Sequence, residues 1–198
     1  INSGYIMVYL SSLNSDGLTV LPTHRVVKGL PFRSTQSIID ILARYFTIKK
    51  FCSKGRLFSE LKQPKKGEHL FGIYLRKEQF YLLRLKSGGI GLLKLVDIKS
   101  GASSHYNKLD VALLHDLIFN KLLRIKEKTT GDDAGILYTR DEKLAMRLVD
   151  VKQYDAAFFL NPPSLAQISA IARVLEKMPH KSTYFYPKPL SGLLVHKF

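Results

Sequence analysis

Three stretches of this 198-residue sequence combine side chains able to hold an anion or move a proton. The first is Thr23-His24-Arg25, inside "LTVLPTHRVV". An arginine fork matches carboxylate and phosphate oxygens two at a time, and neutral histidine accepts a proton near pH 7. His24 is therefore a candidate catalytic base, and Thr23 and Arg25 are candidate ligand contacts. The competing reading is an exposed strand edge. The second stretch is Asn161-Pro162-Pro163-Ser164, where an apolar run turns into a helical pattern. A helix N-terminus offers free N–H groups and a positive dipole end to anions, so Asn161 and Ser164 are candidates. Most such turns bind nothing. The third is the tail "KSTYFYPKPLSGLLVHKF". Lys181 and Lys188 supply point charges, Ser182 and Thr183 supply hydroxyls, and Tyr184 shares a strand face with Tyr186. Phe185 alone would satisfy a core, so hydroxyls and two lysines exceed what packing requires.

A fourth candidate is solitary. In "KLDVALLHDLIFNKLL", Val111, Leu114, Ile118 and Leu122 fall on one helical face, and His115 lies between Val111 and Phe119. It reads as a hydrogen-bonded core histidine or as a pocket residue facing a ligand. Asp116 points away from it, so the pair is no dyad.

Other chemistries find no support. The six histidines show no HExxH or paired metal spacing, and the single Cys52 excludes an intrachain disulfide or a cysteine-rich zinc cluster. Cys52 reads as a half-buried strand thiol, and a reducing cytoplasm is its simplest home. Gly89-x-Gly91 lacks the third glycine of a dinucleotide fingerprint, and no GxxxxGK[ST] loop occurs. No apolar run reaches the roughly 18 residues that a membrane span needs.

The net charge of +15 is uneven. Residues 1–100 hold 17 Lys and Arg against 6 Asp and Glu; residues 101–198 hold 14 against 10. A basic N-terminal half suits phosphates, nucleotides or nucleic acid, or is a lysine-biased solvated surface.

The elements that must position these residues follow from pattern. Tyr5–Leu10 and Leu18–Leu21 read as strands around an "NSDG" turn, and "THRVV" continues extended. Ser34 caps a helix carrying Ile38, Ile41 and Leu42. A strand over 48–52, a short helix in "GRLFSEL" and a hairpin of 70–75 with 80–85 come next. Residues 86–91 read as a turn. Leu109–Leu123 is a helix and 135–138 a strand. Asp141 caps a helix reaching Asp150, and 156–160 is an apolar strand. Ser164 with Gln167 forms a capping box before a helix with the stripe Leu165, Ile168, Ile171, Ala172 and Leu175. Residues 183–186 and 193–196 are the last strands. Helices alternating with short apolar strands predict an α+β or α/β layered fold, a mixed β-sheet with helices packed on it. The chain is one domain, or two lobes divided near 99–108.

"GLTVLPTHRVV", "LLHDLIFNKLL", "AFFLNPPS" and "MPHKSTYFYPKPLSGLLVHKF" together resemble the C-terminal part of the bacterial and archaeal family known as domain of unknown function 1015. That family carries upstream an Asp-Gly-His-His-Arg-type segment, similar to the phosphate-handling motif of ParB-like and sulfiredoxin-like folds, some of which are free-serine kinases. The sequence given opens on Ile1 with no such segment and no secretory leader. The resemblance thus implies a C-terminal portion of a longer protein, with part of any site upstream.

Three functions follow. The first is a phosphate- or nucleotide-handling enzyme, kinase-like toward a small molecule, with a nucleotide and Mg²⁺ as its cofactors and an anionic small molecule as its partner. The second is nucleic-acid binding through the basic half, although no recognition helix, RNP, KH or zinc-finger pattern supports it. The third is an interaction or structural half without chemistry. The first makes a geometric demand: His24 and Arg25, Asn161 to Ser164, and Lys181 to Tyr184 must converge.

Overall fold

Local signals set the element boundaries. Ser34 accepts the Ser37 N–H and starts α1 (Thr35–Ala43), whose Ile38 and Leu42 are buried. Ser53 does the same for α2 (Lys54–Leu61), and Asp141 caps α4 (Glu142–Asp150) through the N–H groups of Lys143 and Leu144. The capping box of Ser164 and Gln167 opens α5 (Leu165–Arg173). In the computed structural model residues 8, 10–12, 17–32, 34–87, 101–125, 135–188 and 192 are described. The strand and turn expected over 5–10 and 14–17, the turn at 86–91, part of the proposed lobe boundary and the strand at 193–196 lie wholly or partly outside them.

The strands are β1 (Thr19–Val20), β2 (His24–Val27), β3 (Phe46–Phe51), β4 (Leu70–Leu75), β5 (Gln79–Leu85), β6 (Ile136–Thr139), β7 (Ala156–Phe159) and β8 (Phe185–Tyr186). Six form one sheet in the order β3-β5-β4-β7-β2-β6, and β1 pairs with β8 in a second. The fold is α+β with helices packed on the sheet, as the alternation predicts. The pairing differs from the expected mixed sheet, because every hydrogen-bonded neighbour is antiparallel. The reason lies in β2. Both β6 and β7 run antiparallel to it, so they run the same way as each other. The β6–α4–β7 segment is thus a crossover of the kind that joins parallel strands, with β2 filling the slot between them.

Period-two alternation divides the apolar residues between the two faces. Val27, Phe71, Ile73, Leu83 and Phe158 belong to a cluster with α1 and with α3, which is α-helical over Asp110–Ala112 and a π-helix over Leu113–Leu122. Val26, Leu70, Tyr74, Leu82, Ala157 and Phe159 belong to a second cluster with α2 and α4. Gly72 in β4 lets α2 approach closely: a Cβ there would stand 3.2 Å from both Leu57 Cδ2 and Phe159 Cβ.

Two local expectations need correction. The stripe of α5 ends early: Leu175 is 93% exposed, with φ 54°, because the helix caps at Val174. Cys52 is exposed just beyond β3 and is not half-buried in it.

Candidate functional site

Sheet register gathers one end of three strands. His24 pairs with Thr139 at the end of β6, and Arg25 pairs with Phe158 near the end of β7. Leu160 and Asn161 follow β7, and Arg140 follows β6. The tail is tied there too. Leu21 N–H donates to the Tyr184 carbonyl at 2.8 Å, Val20 pairs with Phe185, and Arg25 Nη2 donates to the Lys181 carbonyl at 3.3 Å. Residues 19–25 and 181–186 thus meet from far-apart parts of the chain, while Asn161 is held by the Leu61 carbonyl. Ser164 opens α5 three residues beyond Asn161.

The candidates differ in what their side chains face. Arg25 is fully buried. Its Nε donates to His115 Nε2 at 3.3 Å, its Nη1 to the Thr23 carbonyl, and its Cζ lies 5.4 Å from the centre of the Tyr138 ring. The guanidinium thus grips the protein's own carbonyls, tying β2 to α3 and to the tail. His115 is buried in the α3 core and stacks on Tyr138, with ring centres 6.2 Å apart and planes at 6°. Ser182 is buried and donates to the Pro179 carbonyl. Asn161 donates to the Leu61 carbonyl at 2.7 Å, closing the C-terminus of α2. Ser164 accepts the Gln167 N–H at 3.2 Å. These contacts are structural ones, and each uses a group that the sequence alone offered to a ligand.

His24 is different. It is 2% exposed and lies edge-on to Phe159, with ring centres 5.1 Å apart. Neither ring nitrogen meets a partner among the described residues. Burial, then the charges of Arg25 and Lys62, push its pKa down from 6.5 to about 4. The imidazole is therefore neutral at pH 7, with a donor and an acceptor unsatisfied.

The cations at the surface are also distinct. Arg140 Cζ lies 3.8 Å from the centre of the Tyr184 ring, and Lys188 Nζ lies 4.6 Å from it. Lys181 is exposed and takes φ 54°. Arg140 and Lys62 were not singled out from sequence. Arg140 sits between a strand end and an N-cap in "YTRDEK", a place where a cation ends up beside the next strand, but only the register shows which one.

A family model described as a protein of unknown function, DUF1015, matches residues 2–112. The chain belongs to this family. The match spans more than half of the DUF1015 chain and includes β2 with His24 and Arg25, while the Asn161 turn and the tail lie beyond it. No curated protein matches. Among solved structures, this DUF1015 chain is similar to a conserved hypothetical protein from Pyrococcus furiosus, at 14% identity and a TM-score of 0.45, covering 88% of this chain and 59% of that one. It is also similar to a free serine kinase in complex with AMP, at 14% identity and a TM-score of 0.43, covering 88% of this chain and 56% of that one. The DUF1015 chain spans less than two thirds of the length of either.

Two cavities open elsewhere among the described residues. One of about 390 Å³ lies between β3 and α2 beside Lys49, Lys50 and Arg56. Another of about 500 Å³ lies between the start of α2 and α4 and holds Tyr74 and Asp150. No helix among the described residues is long and apolar enough to cross a membrane. No three His, Cys, Asp or Glu side chains gather as a metal centre among them.

Proposed function

We propose that this DUF1015 chain handles a phosphate-bearing small molecule, such as a nucleotide or a phosphomonoester, where β2 begins and β7 ends. His24 is the proton acceptor, and the reaction class is phosphoryl transfer to a small hydroxyl compound. On this reading an upstream segment of the ParB-like or sulfiredoxin-like kind completes the site.

One observation carries the proposal: a neutral, buried His24 that has no hydrogen-bond partner among the described residues and lies within the field of Arg25 and Lys62. Buried polar atoms without partners are rare in folded proteins, and a bound polar group accounts for them. Burial, and after it the charges of Arg25 and Lys62, holds the imidazole's pKa low. An anion beside those cations offsets the part of the shift that comes from their charge, which raises the pKa and makes His24 a better base when substrate is present. Phosphoryl transfer asks mostly for positioning and for charge stabilisation, which cations around one histidine supply.

The test is an NMR titration of the imidazole signals with and without pyrophosphate or AMP. The expected result is a His24 pKa near 4 in the free chain that climbs on adding either ligand. A His24 signal indifferent to both ligands would overturn the proposal.

A further inference from the structure

We infer that Arg140, Tyr184 and Lys188 form the clamp that receives the phosphate group, and that Arg25 is the buried residue positioning it. This rests on the function proposed above and names the groups that touch the ligand.

The argument starts from electrostatics. Arg140 and Lys188 stand 3.8 Å and 4.6 Å from the centre of one tyrosine ring. Those distances hold the two charges closer together than the Debye length of about 10 Å at 0.1 M salt, so solvent ions do not screen them fully. The ring face attracts both cations but neutralises neither. Among the described residues neither cation has a carboxylate within ion-pair reach. The nearest acid in sequence, Asp141, has its carboxylate turned to the N–H groups of Lys143 and Leu144, at 2.8 Å and 3.1 Å. Two like charges gathered with no counter-ion among the described residues form a site that an anion stabilises.

Geometry then selects the anion. Arg140 Cζ stands 3.8 Å from the centre of the Tyr184 ring, and none of its N–H donors is spent on the described residues. A guanidinium takes two oxygens of one phosphate side by side, and an ammonium takes a third as a point charge. Arg140 and Lys188 are exposed and Tyr184 is half-buried, so ligand reaches all three from solvent.

The clamp is built from two parts of the chain. Arg140 follows β6, whereas Tyr184 and Lys188 belong to the tail. Arg25 joins them from below: β2 pairs with β6, and Arg25 holds the Lys181 carbonyl at 3.3 Å. It is a positioning residue and does not touch the ligand.

The experiment is calorimetric titration of the chain with pyrophosphate, with AMP and with a single-stranded oligonucleotide. Pyrophosphate and AMP are expected to bind. Arg140→Ala and Lys188→Ala should each weaken both by about ten-fold or more, the effect of losing a charge-assisted hydrogen bond. Arg140→Lys should restore only part of the loss, because a point charge cannot replace the fork. Tyr184→Phe keeps the stacking ring and should bind as the unaltered chain does, while Tyr184→Ala should not. These side chains are at the surface, so unchanged thermal midpoints will separate lost binding from lost fold. Pyrophosphate binding that survives both alanine variants yet disappears in His24→Gln overturns the clamp and leaves the His24 site standing. An unaltered chain that binds neither pyrophosphate nor AMP overturns both. An oligonucleotide bound far more tightly than either overturns the small-phosphate assignment.

Discussion

Arg25 and His115, 90 residues apart in sequence, meet in the core with Arg25 Nε donating to His115 Nε2 at 3.3 Å. The bond requires an unprotonated Nε2 on His115, so the histidine is a neutral acceptor for a buried cation. It also explains why a lone inward histidine and a strand arginine occur in one fold. Each satisfies the other where water does not reach.

Replacing Arg25 should therefore damage the fold before it damages a site. Arg25→Ala takes a donor from His115 and from the carbonyls of Thr23 and Lys181, and it opens space beside Tyr138. We expect a loss of about 3 kcal/mol, the scale for breaking a buried polar network, read from the urea midpoint. A loss below about 1 kcal/mol would place Arg25 among ordinary surface charges.

His24 makes stability depend on pH in a defined direction. Its folded pKa of about 4 lies below the unfolded value of 6.5. Above pH 6.5 both states are neutral at this residue and its full contribution is present. As pH falls from 6.5 to 4, only the unfolded state takes up the proton, so stability is lost. The gap corresponds to about 3 kcal/mol at about 1.4 kcal/mol per unit. Denaturation curves across that range should be steeper for the unaltered chain than for His24→Leu. Parallel curves would show that His24 does not titrate as the fold requires.

Much of this architecture was legible in local residue choices. Ser34, Asp141 and Ser164 mark three helix starts because a short hydroxyl or carboxylate side chain can satisfy the first N–H groups. The apolar runs at 70–75 and 80–85 give the hairpin to within a residue. Two kinds of information were absent. One is register over long separations: nothing local says that β2 lies between β6 and β7, and hence that the sheet is antiparallel throughout. The other is side-chain direction within a cluster. Arg25 and Ser182 look like ligand groups by type, but burial turns them onto the protein's own carbonyls. Arg140 looks like a surface arginine until the tail delivers Tyr184 beneath it. The π-helical turn of α3 is equally silent, since 113–122 reads as an ordinary amphipathic helix; the wider turn buries all of 113–119 except the half-exposed Asp116.

Tyr74 offers a test in alkali. Its hydroxyl donates to Asp150 Oδ1 at 2.6 Å, and burial followed by that bond pushes its pKa up to about 12. The stabilisation is complete below the ordinary tyrosine value of 10 and is lost as pH rises through about 12. Tyr74→Phe should cost about 2 kcal/mol at neutral pH, as expected for a hydrogen bond to a charged partner. Absorbance titration of the ten tyrosines should show one fewer late-ionising group in the variant. An unchanged alkaline limb would mean that Tyr74 ionises early.

Gly72 connects the packing of the sheet to the state of His24. A methyl group at this position would stand 3.2 Å from Leu57 Cδ2 and from Phe159 Cβ, and both residues are fully buried. Gly72→Ala would ordinarily gain about 0.5–1 kcal/mol by restricting the unfolded chain. Overpacking a filled core costs about 1–3 kcal/mol, so the net effect should be a loss of about 1 kcal/mol. Phe159 must give way, and it packs edge-on against both Phe58, at 4.9 Å, and His24, at 5.1 Å. The substitution should therefore lower the urea midpoint and also move the His24 ring resonances, although no atom of residue 72 is needed by a ligand. A lower midpoint with His24 resonances unmoved would show that Leu57 alone absorbs the strain, and that the packing of α2 on β4 is independent of the site.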